Sequence, residues 1–325
     1  MAKKVLMKGN EAIAEAAVRA GCRLFFGYPI TPSSELIEYL ADRLPEVGGV
    51  FLQAESEVAA INMVHGAAGA GQRVMTGSSS PGISLKQEGL SYIAGAQLPC
   101  VVVNIVRAGP GLGGLGPAQC DYFQATKGGG HGDYRVITLA PASVQEAADF
   151  TALAFDLADR YRNPAMILGD GVIGQMMEPV AFPDLDAPRP VYDKPWATTG
   201  CRGRKKNKIF CYGLTSEPLE AINQALQVKY AEIRDKEQRW ESYQTEDAEF
   251  LLVSYGTPAR ICREVVMEGR KRGLRLGLIR PISLWPFPDK AFEVLPGGLR
   301  SALVVELNAG QMVEDARLAV EGRCR

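Results

Sequence analysis

Three short stretches carry side chains that can do chemistry, and each follows an apolar run. The first is GYPITPSS, residues 27–34. Prolines stiffen this turn, and Thr31 stands just ahead of Pro32, where a helix can begin. A threonine there is fully accounted for as an N-cap, yet the same helix N-terminus also favours an anion or a developing negative charge. The second is QAESE, residues 53–57. Two carboxylates in a helix's first turn are ordinary partners of its dipole. Glu57, however, leads into the small residues Ala59, Ala60, Gly66, Ala67, Ala68 and Gly69, whose backbone another body can approach closely. A carboxylate beside such a surface can contact a ligand or a partner subunit. The third is VRAGP, residues 106–110. Arg107 ends the strongest strand-like run, where surface decoration is a poor explanation. Its fork of donors suits a carboxylate ligand, and a structural ion pair is the alternative.

The glycine-rich residues 109–132 lack the strand–GxxxxGK[ST]–helix form of a phosphate loop. They are expected to form a mobile loop over a site, and His131, one of only two histidines, is a weak catalytic candidate within it. No residue set with metal-ligand spacing accompanies the three stretches. The seven cysteines are scattered and odd in number, which argues against zinc sites, iron–sulfur motifs and a disulfide framework alike. They are taken as buried or incidental thiols.

The elements that position these residues follow from periodicity. A helix is expected over 10–21 with Asn10 as its cap, then a strand over 23–28 and a helix from Pro32 with Thr31 as its cap. A small-residue helix is expected over 55–70. The VVVNIV run, 101–106, suits a central strand buried on both faces. Strands are expected at 136–139 and 165–168, and Ser143 with Glu146 forms a capping-box signature ahead of a helix ending near Arg162. Alternation of this kind implies a mostly parallel sheet covered on both faces, with chemistry at the carboxyl ends of its strands. Residues 180–195 form a linker, and the five basic residues among 201–208 a solvated loop. Apolar spacing predicts a long amphipathic helix over 217–243. A second α/β unit follows, with strands at 250–255, 274–279 and 301–306 and a helix over 257–272.

Composition adds boundaries. With 46% hydrophobic and 22% charged residues and a net charge of −1, the chain gives no reason to expect nucleic acid or an anionic membrane as partner. No apolar run approaches a membrane span, and no cleavable leader pattern follows the basic N-terminus, so a cytoplasmic location is expected.

Together and in this order, the three stretches resemble the α chains of 2-oxoacid:ferredoxin oxidoreductases, which carry a GYPITPSSE-like motif, a helix start containing Ser-Glu and a strand ending in Arg-Ala/Gly-Gly-Pro. Here these are residues 27–35, Ser56-Glu57 and residues 107–110. QCDYFQATK (119–127) with the following GGGHGD, and ILGDGVIGQMMEP (167–179), look like the branched-chain, 2-oxoisovalerate members rather than the 2-oxoglutarate ones. RPISLWPFP (280–288) is similar to the transketolase C-terminal domain.

The resemblance implies a thiamine-diphosphate pyrimidine-binding, doubly wound parallel α/β sheet over 1–183, a linker and long helix over 184–247, and a smaller transketolase C-terminal-like α/β domain over 248–325. It implies that Pro29, Ile30, Thr31 and Glu57 meet the cofactor. Glu57 would bond N1′ of the aminopyrimidine and favour its imino tautomer. Thr31 would also reach the substrate's carbonyl or carboxylate region, and Arg107 would pair with the 2-oxo carboxylate. The implied reaction is CoA-dependent oxidative decarboxylation of a branched-chain 2-oxoacid to acyl-CoA, CO₂ and reduced ferredoxin.

Gly169-Asp170-Gly171 resembles the opening of the metal–diphosphate signature of thiamine enzymes. The next suitable asparagine is Asn207, in the basic loop, and no Asn-Asn pair follows. The diphosphate and Mg²⁺ are therefore expected on a β subunit, and the 4Fe–4S clusters on γ or ferredoxin-like subunits, with ferredoxin as acceptor. Other readings are a 2-oxoglutarate or pyruvate member of the family, half of a non-redox thiamine enzyme, and a non-catalytic α/β module.

Overall fold

A computed structural model describes residues 4–324. At its centre lies a sheet with strands in the spatial order Ser283–Trp285, Ile137–Leu139, Pro164–Asp170, Cys100–Ala108, Val74–Ser78, Leu24–Gly27, Val50–Gln53. Every pairing is parallel except that of Ser283–Trp285, which adds antiparallel to Ile137–Leu139. The middle strand explains why the sheet is covered twice. Val101, Val103 and Ile105 pack with Ile13, Leu36, Leu40 and Phe155, whereas Val102 and Val106 pack with Ile61, Val64 and Leu90. Alternate residues point to opposite faces, and both sets are apolar, so both faces must be buried. The helices Gly9–Arg19, Ser34–Glu46 and Val144–Tyr161 serve one face, and Glu57–Gly69 and Ser80–Gly95 the other. The expected doubly wound α/β class is the observed one.

Two expected caps are corrected, each for a physical reason. Asn10 lies inside the Gly9–Arg19 helix, fully buried. Its side-chain amide leaves the helix and donates to Pro32 O at 2.8 Å. Thr31 does not cap the next helix, which runs Ser34–Glu46 with Ser33 at its N-cap. Residues 30–33 instead close a turn, with Ser33 N donating to Ile30 O at 3.0 Å. The Pro32 carbonyl is occupied by Asn10 and Gln175 rather than by the helix. Ser143 does behave as expected, accepting from Glu146 N at 3.1 Å, while Glu146 reaches back to Ala142 N at 2.8 Å.

Beyond residue 176 the sequence reading is coarser than the structure. Met177–Ala181 is a strand paired antiparallel with Lys4–Lys8. The expected helix to residue 243 ends at Lys236, because Trp240–Tyr243 peels away to form the edge strand of a second sheet. That sheet has the order Trp240–Tyr243, Leu276–Pro281, Phe250–Val253, Ser301–Val304. No described helix is long and apolar enough to cross a membrane.

The two sheets are joined where one strand hands over to the next. Leu276–Pro281 belongs to the second sheet and Ser283–Trp285 to the first, and Trp285 packs edge-on against Tyr230 at 5.5 Å. Arg280, at the handover, forks onto both oxygens of Glu146 at 2.7 and 2.8 Å and donates to Glu241 at 3.0 Å. Its side chain is 7% exposed against 27% for Glu146, so removing it leaves a partly desolvated carboxylate unpaired. Breaking such a pair from one side costs about 3–5 kcal/mol. Arg280→Met is expected to lower unfolding free energy by about 3 kcal/mol; a urea titration showing less than a third of that would mean solvent already screens the pair.

Candidate functional site

Because the strands are parallel, their carboxyl ends share one edge, and the three candidate stretches all leave the sheet there. Arg107 is 7% exposed, near the end of the Cys100–Ala108 strand. Its guanidinium donates to Thr31 O at 3.0 Å and to Leu112 O at 2.8 Å, and its Nε has no partner. Among the described residues no carboxylate pairs with it. The structural ion-pair alternative therefore finds no support, and a charged donor is left at the strand end. The main chain of Arg107 is fixed as well: its N–H donates to Ser80 Oγ at 3.1 Å and its carbonyl accepts from the same hydroxyl at 3.2 Å.

The turn that carries Tyr28, Pro29, Ile30 and Thr31 is exposed or half-buried at its tip and braced from below. Pro32 O accepts from Asn10 and from Gln175 Nε2 at 3.1 Å. Glu35, just behind, accepts from Lys8 at 2.9 Å, Asn10 at 2.9 Å and Gln175 at 2.8 Å. Burial would raise the Glu35 pKa, but these donors, with its own backbone N–H, outweigh it and hold the carboxyl at about 2.

Glu57 is the first residue of the Glu57–Gly69 helix, whose N-cap Ser56 accepts from Ala59 N at 3.2 Å. It is 6% exposed. Its carboxylate lies against the first turn of the Ser80–Gly95 helix: a Cβ at Gly82 would fall 2.5 Å from Glu57 Oε1 and 2.0 Å from Ser78 Oγ. Only glycine permits that approach. Ser78 Oγ and Ser79 Oγ are buried there without a partner. Residues 78–82 thus touch Glu57 on one side and, through Ser80, Arg107 on the other, while Arg107 holds the Thr31 turn. Glu57, Thr31 and Arg107 belong to one contiguous site, and Pro29 and Ile30 sit on the same turn.

The neighbouring loops complete the edge. Gly114–Pro117 folds back on the end of Cys100–Ala108 and leaves Leu112 and Leu115 exposed. A cavity of about 500 Å³ opens between Ser80, Gly109–Gly111, Cys120 and the Asn308–Gln311 loop of the second sheet. The glycines at 128–130, expected to cover a site, instead lie against the Ser80–Gly95 helix. Gly129 N donates to Gln87 and Gly130 N to Tyr134 OH, and a Cβ at Gly130 would meet Gln87 O at 2.6 Å. His131 is exposed, with Tyr92 beside it. Asp170, of the Gly-Asp-Gly run, caps the Gly171–Gln175 helix by accepting from Val172 N and Ile173 N.

Comparison with known proteins matches this architecture. Residues 15–250 fit the family model for the pyruvate flavodoxin/ferredoxin oxidoreductase thiamine-diphosphate-binding domain, and residues 248–325 fit core domain II of pyruvate:ferredoxin oxidoreductase. The chain belongs to this family. It is an α-type subunit of the 2-oxoacid:ferredoxin oxidoreductases, which are multi-subunit enzymes. It is 52% identical to ketoisovalerate oxidoreductase subunit VorB of Methanothermobacter thermautotrophicus, over 97% of this chain and 89% of that one. It is 37% identical to 2-oxoglutarate synthase subunit KorA of Methanocaldococcus jannaschii, over 95% and 90%. The solved 2-oxoglutarate:ferredoxin oxidoreductase of Magnetococcus marinus, with 2-oxoglutarate, coenzyme A and succinyl-CoA bound, superposes with a TM-score of 0.89 at 27% identity. That match covers 99% of this chain but only 61% of the larger one. An inactive split-gene transketolase shares the fold alone, with a TM-score of 0.60 at 11% identity.

Several supports of this candidate site escape sequence reading. Asn104 interrupts the VVVNIV run and is fully buried; it accepts from Ser80 N at 3.2 Å and donates to Asp121 at 2.8 Å. A polar residue inside an otherwise apolar strand was the available signal. Asn10 and Gln175 carried none, since each looks like an ordinary helix-end residue. Glu35 makes the bracing testable. Its pKa is depressed on folding, so its contribution is complete above the unfolded value, near 4.5, and drains away as pH falls toward about 2. Melting curves should show the chain losing stability across that interval, with the loss blunted in Glu35→Gln. Parallel curves for both proteins would mean Glu35 does not brace the turn.

Proposed function

We propose that this chain supplies the pyrimidine side of a thiamine-diphosphate site in an assembly that oxidatively decarboxylates a branched-chain 2-oxoacid with coenzyme A, giving acyl-CoA, CO₂ and reduced ferredoxin. The observation that carries the reading is Arg107: a buried guanidinium with a free Nε and no described carboxylate, tied to the Thr31 turn and, through Ser80 and Gly82, to Glu57. A 2-oxo carboxylate is the ligand such a fork lacks. The branched-chain preference follows the ketoisovalerate-type relative, whose identity exceeds that of the 2-oxoglutarate type.

The residues present suit the cofactor. A buried carboxylate packed against Gly82 is the acceptor that an aminopyrimidine needs at N1′, and the orphaned Ser78 hydroxyl adds polar capacity beside it. When bound, thiamine diphosphate supplies the carbanion-stabilising centre. Glu57 would hold the pyrimidine and manage a proton at N1′, with Pro29 and Ile30 against the ring. Thr31 would donate to the substrate's carbonyl or carboxylate region, and Arg107 would orient its carboxylate.

The diphosphate with Mg²⁺ falls to a β subunit, since Asp170 is engaged as a helix cap. The 4Fe–4S clusters fall to γ or ferredoxin-like subunits. All seven cysteines here are free, and no group of three or more potential ligands gathers among the described residues. Free thiols also agree with a cytoplasmic location.

In the assembled enzyme, Glu57→Gln keeps size and removes the charge, so kcat should fall by about 10²–10⁴-fold with assembly intact. Near-normal turnover would reduce Glu57 to a helix-end carboxylate. Arg107→Met should lower kcat/KM about 10- to 150-fold, the worth of a charged hydrogen bond, and lysine should restore only part. Losing the ties to Thr31 and Leu112 will also trim stability modestly. A melting-temperature drop with unchanged kcat/KM would instead make Arg107 only a clamp between two loops.

A further inference from the structure

The Ser80–Gly95 helix holds a lysine that the reaction leaves without a task. Lys86 is fully buried, and its ammonium has no hydrogen-bond partner. An ammonium carries three donors, and burying it unpaired is costly. A filler at this position would be apolar, because leucine or methionine occupies the same volume without desolvating a charge.

Two close helix contacts show which face of its helix Lys86 leaves from. A Cβ at Gly82 would fall 2.5 Å from Glu57 Oε1, and one at Gly89 would fall 2.5 Å from Ile61 Cγ2. Gly82, Lys86 and Gly89 share one helix face, as do Glu57 and Ile61 on the helix opposite. Lys86 therefore emerges between the two contacts. Its Cα–Cβ bond tilts toward the N-terminus of its own helix, which is the Gly82 and Glu57 end. Burial pulls the Lys86 pKa down to about 8, and the attraction of Glu57, the one opposite charge acting on it, offsets part of that.

We propose that Lys86 is a positioning residue for Glu57, its buried ammonium holding the carboxylate against Gly82, where the aminopyrimidine docks. The proposal rests on Glu57 being the pyrimidine contact. In this role Lys86 acts through Glu57 rather than on the ligand directly. It sets where the carboxylate sits before the ligand arrives, so less ordering remains for binding to impose.

The test uses the assembled complex with Lys86→Met, Lys86→Arg, Glu57→Gln and the Lys86→Met/Glu57→Gln double variant. Calorimetry with thiamine diphosphate and Mg²⁺ should show Lys86→Met weakening affinity about 10-fold, on the order of losing one charge that acts from beyond hydrogen-bonding distance. KM for the 2-oxoacid should stay unchanged, and arginine should restore most of the loss. Melting curves without cofactor close a double-mutant cycle. Glu57→Gln strands the ammonium and should lower the melting temperature, whereas the same change on the Lys86→Met background should leave it nearly unmoved. Additive melting shifts, or cofactor affinity untouched by Lys86→Met while Glu57→Gln weakens it, overturn the proposal and leave the Glu57 assignment standing. Cofactor affinity untouched by Glu57→Gln overturns that assignment, and the role of Lys86 with it, even if the melting shifts are coupled.

Discussion

Taking the Arg107 guanidinium out of water costs several kcal/mol unless its donors find acceptors, and the acceptors the chain supplies are two carbonyl oxygens, with Nε left unpaired. Thr31 O and Leu112 O belong to loops that leave different strands. One buried cation therefore fixes both the turn after Leu24–Gly27 and the hairpin after Cys100–Ala108. Ser80 ties the same residue's backbone to the start of a third element, and Asn104 holds that start from below. A carboxylate in place of either carbonyl would satisfy the charge and close the site to an acidic ligand. Carbonyl acceptors leave it positive.

The opposite charge is handled differently. Glu57 is the first residue of its own helix and lies against Gly82, in the first turn of the next one. It thus faces the positive ends of two helix dipoles, with Lys86 one turn further along the second. A negative group is supported from three directions without any rigid salt bridge that would block its outer face. The carboxyl edge of the sheet therefore presents an unshared cation and a supported anion, linked through residues 78–82. That pattern suits two ligands side by side, one with a ring that needs an acceptor and one with a carboxylate.

How much of this was legible follows from how each residue is held. The strands and the edge location came from apolar runs, because burial on both faces writes itself into consecutive residues such as 101–106. Glu57, Thr31 and Arg107 stood out because each is polar where such a run stops. Thr31 and Asn10 were misread as caps because a cap is local, whereas their true partners, Arg107 and Pro32, lie 76 and 22 residues away. Lys86 was invisible for a related reason. A lysine in a helix is ordinarily a solvated one, and only the Gly82 and Gly89 contacts, set by a second helix, bury it. The end of the helix at Lys236 was missed because Trp240 continues the apolar spacing although it is claimed by the second sheet.

The attachment of that second sheet bears on whether the site is preformed. On one side Ser283–Trp285 enters the first sheet and Arg280 forks onto Glu146. On the other, Gln119 exchanges hydrogen bonds with Leu307 through both its backbone and its side chain, Asn308 donates to Gln119 O, and Gln311 donates to Cys120 O. A body attached along one line can swing, but one attached at two separated places cannot without breaking a set. The cavity between Gly109–Gly111 and Asn308–Gln311 lies beside the second attachment, so its width is set by the fold rather than by closure around a ligand. At this edge the hairpin tip keeps the apolar side chains of Leu112 and Leu115 exposed, while Arg107 holds the Leu112 carbonyl from below. An exposed apolar tip next to a rigid polar cleft is what a partner subunit can cover, and covering it would exclude water from the very edge where Arg107 and Glu57 hold their charges.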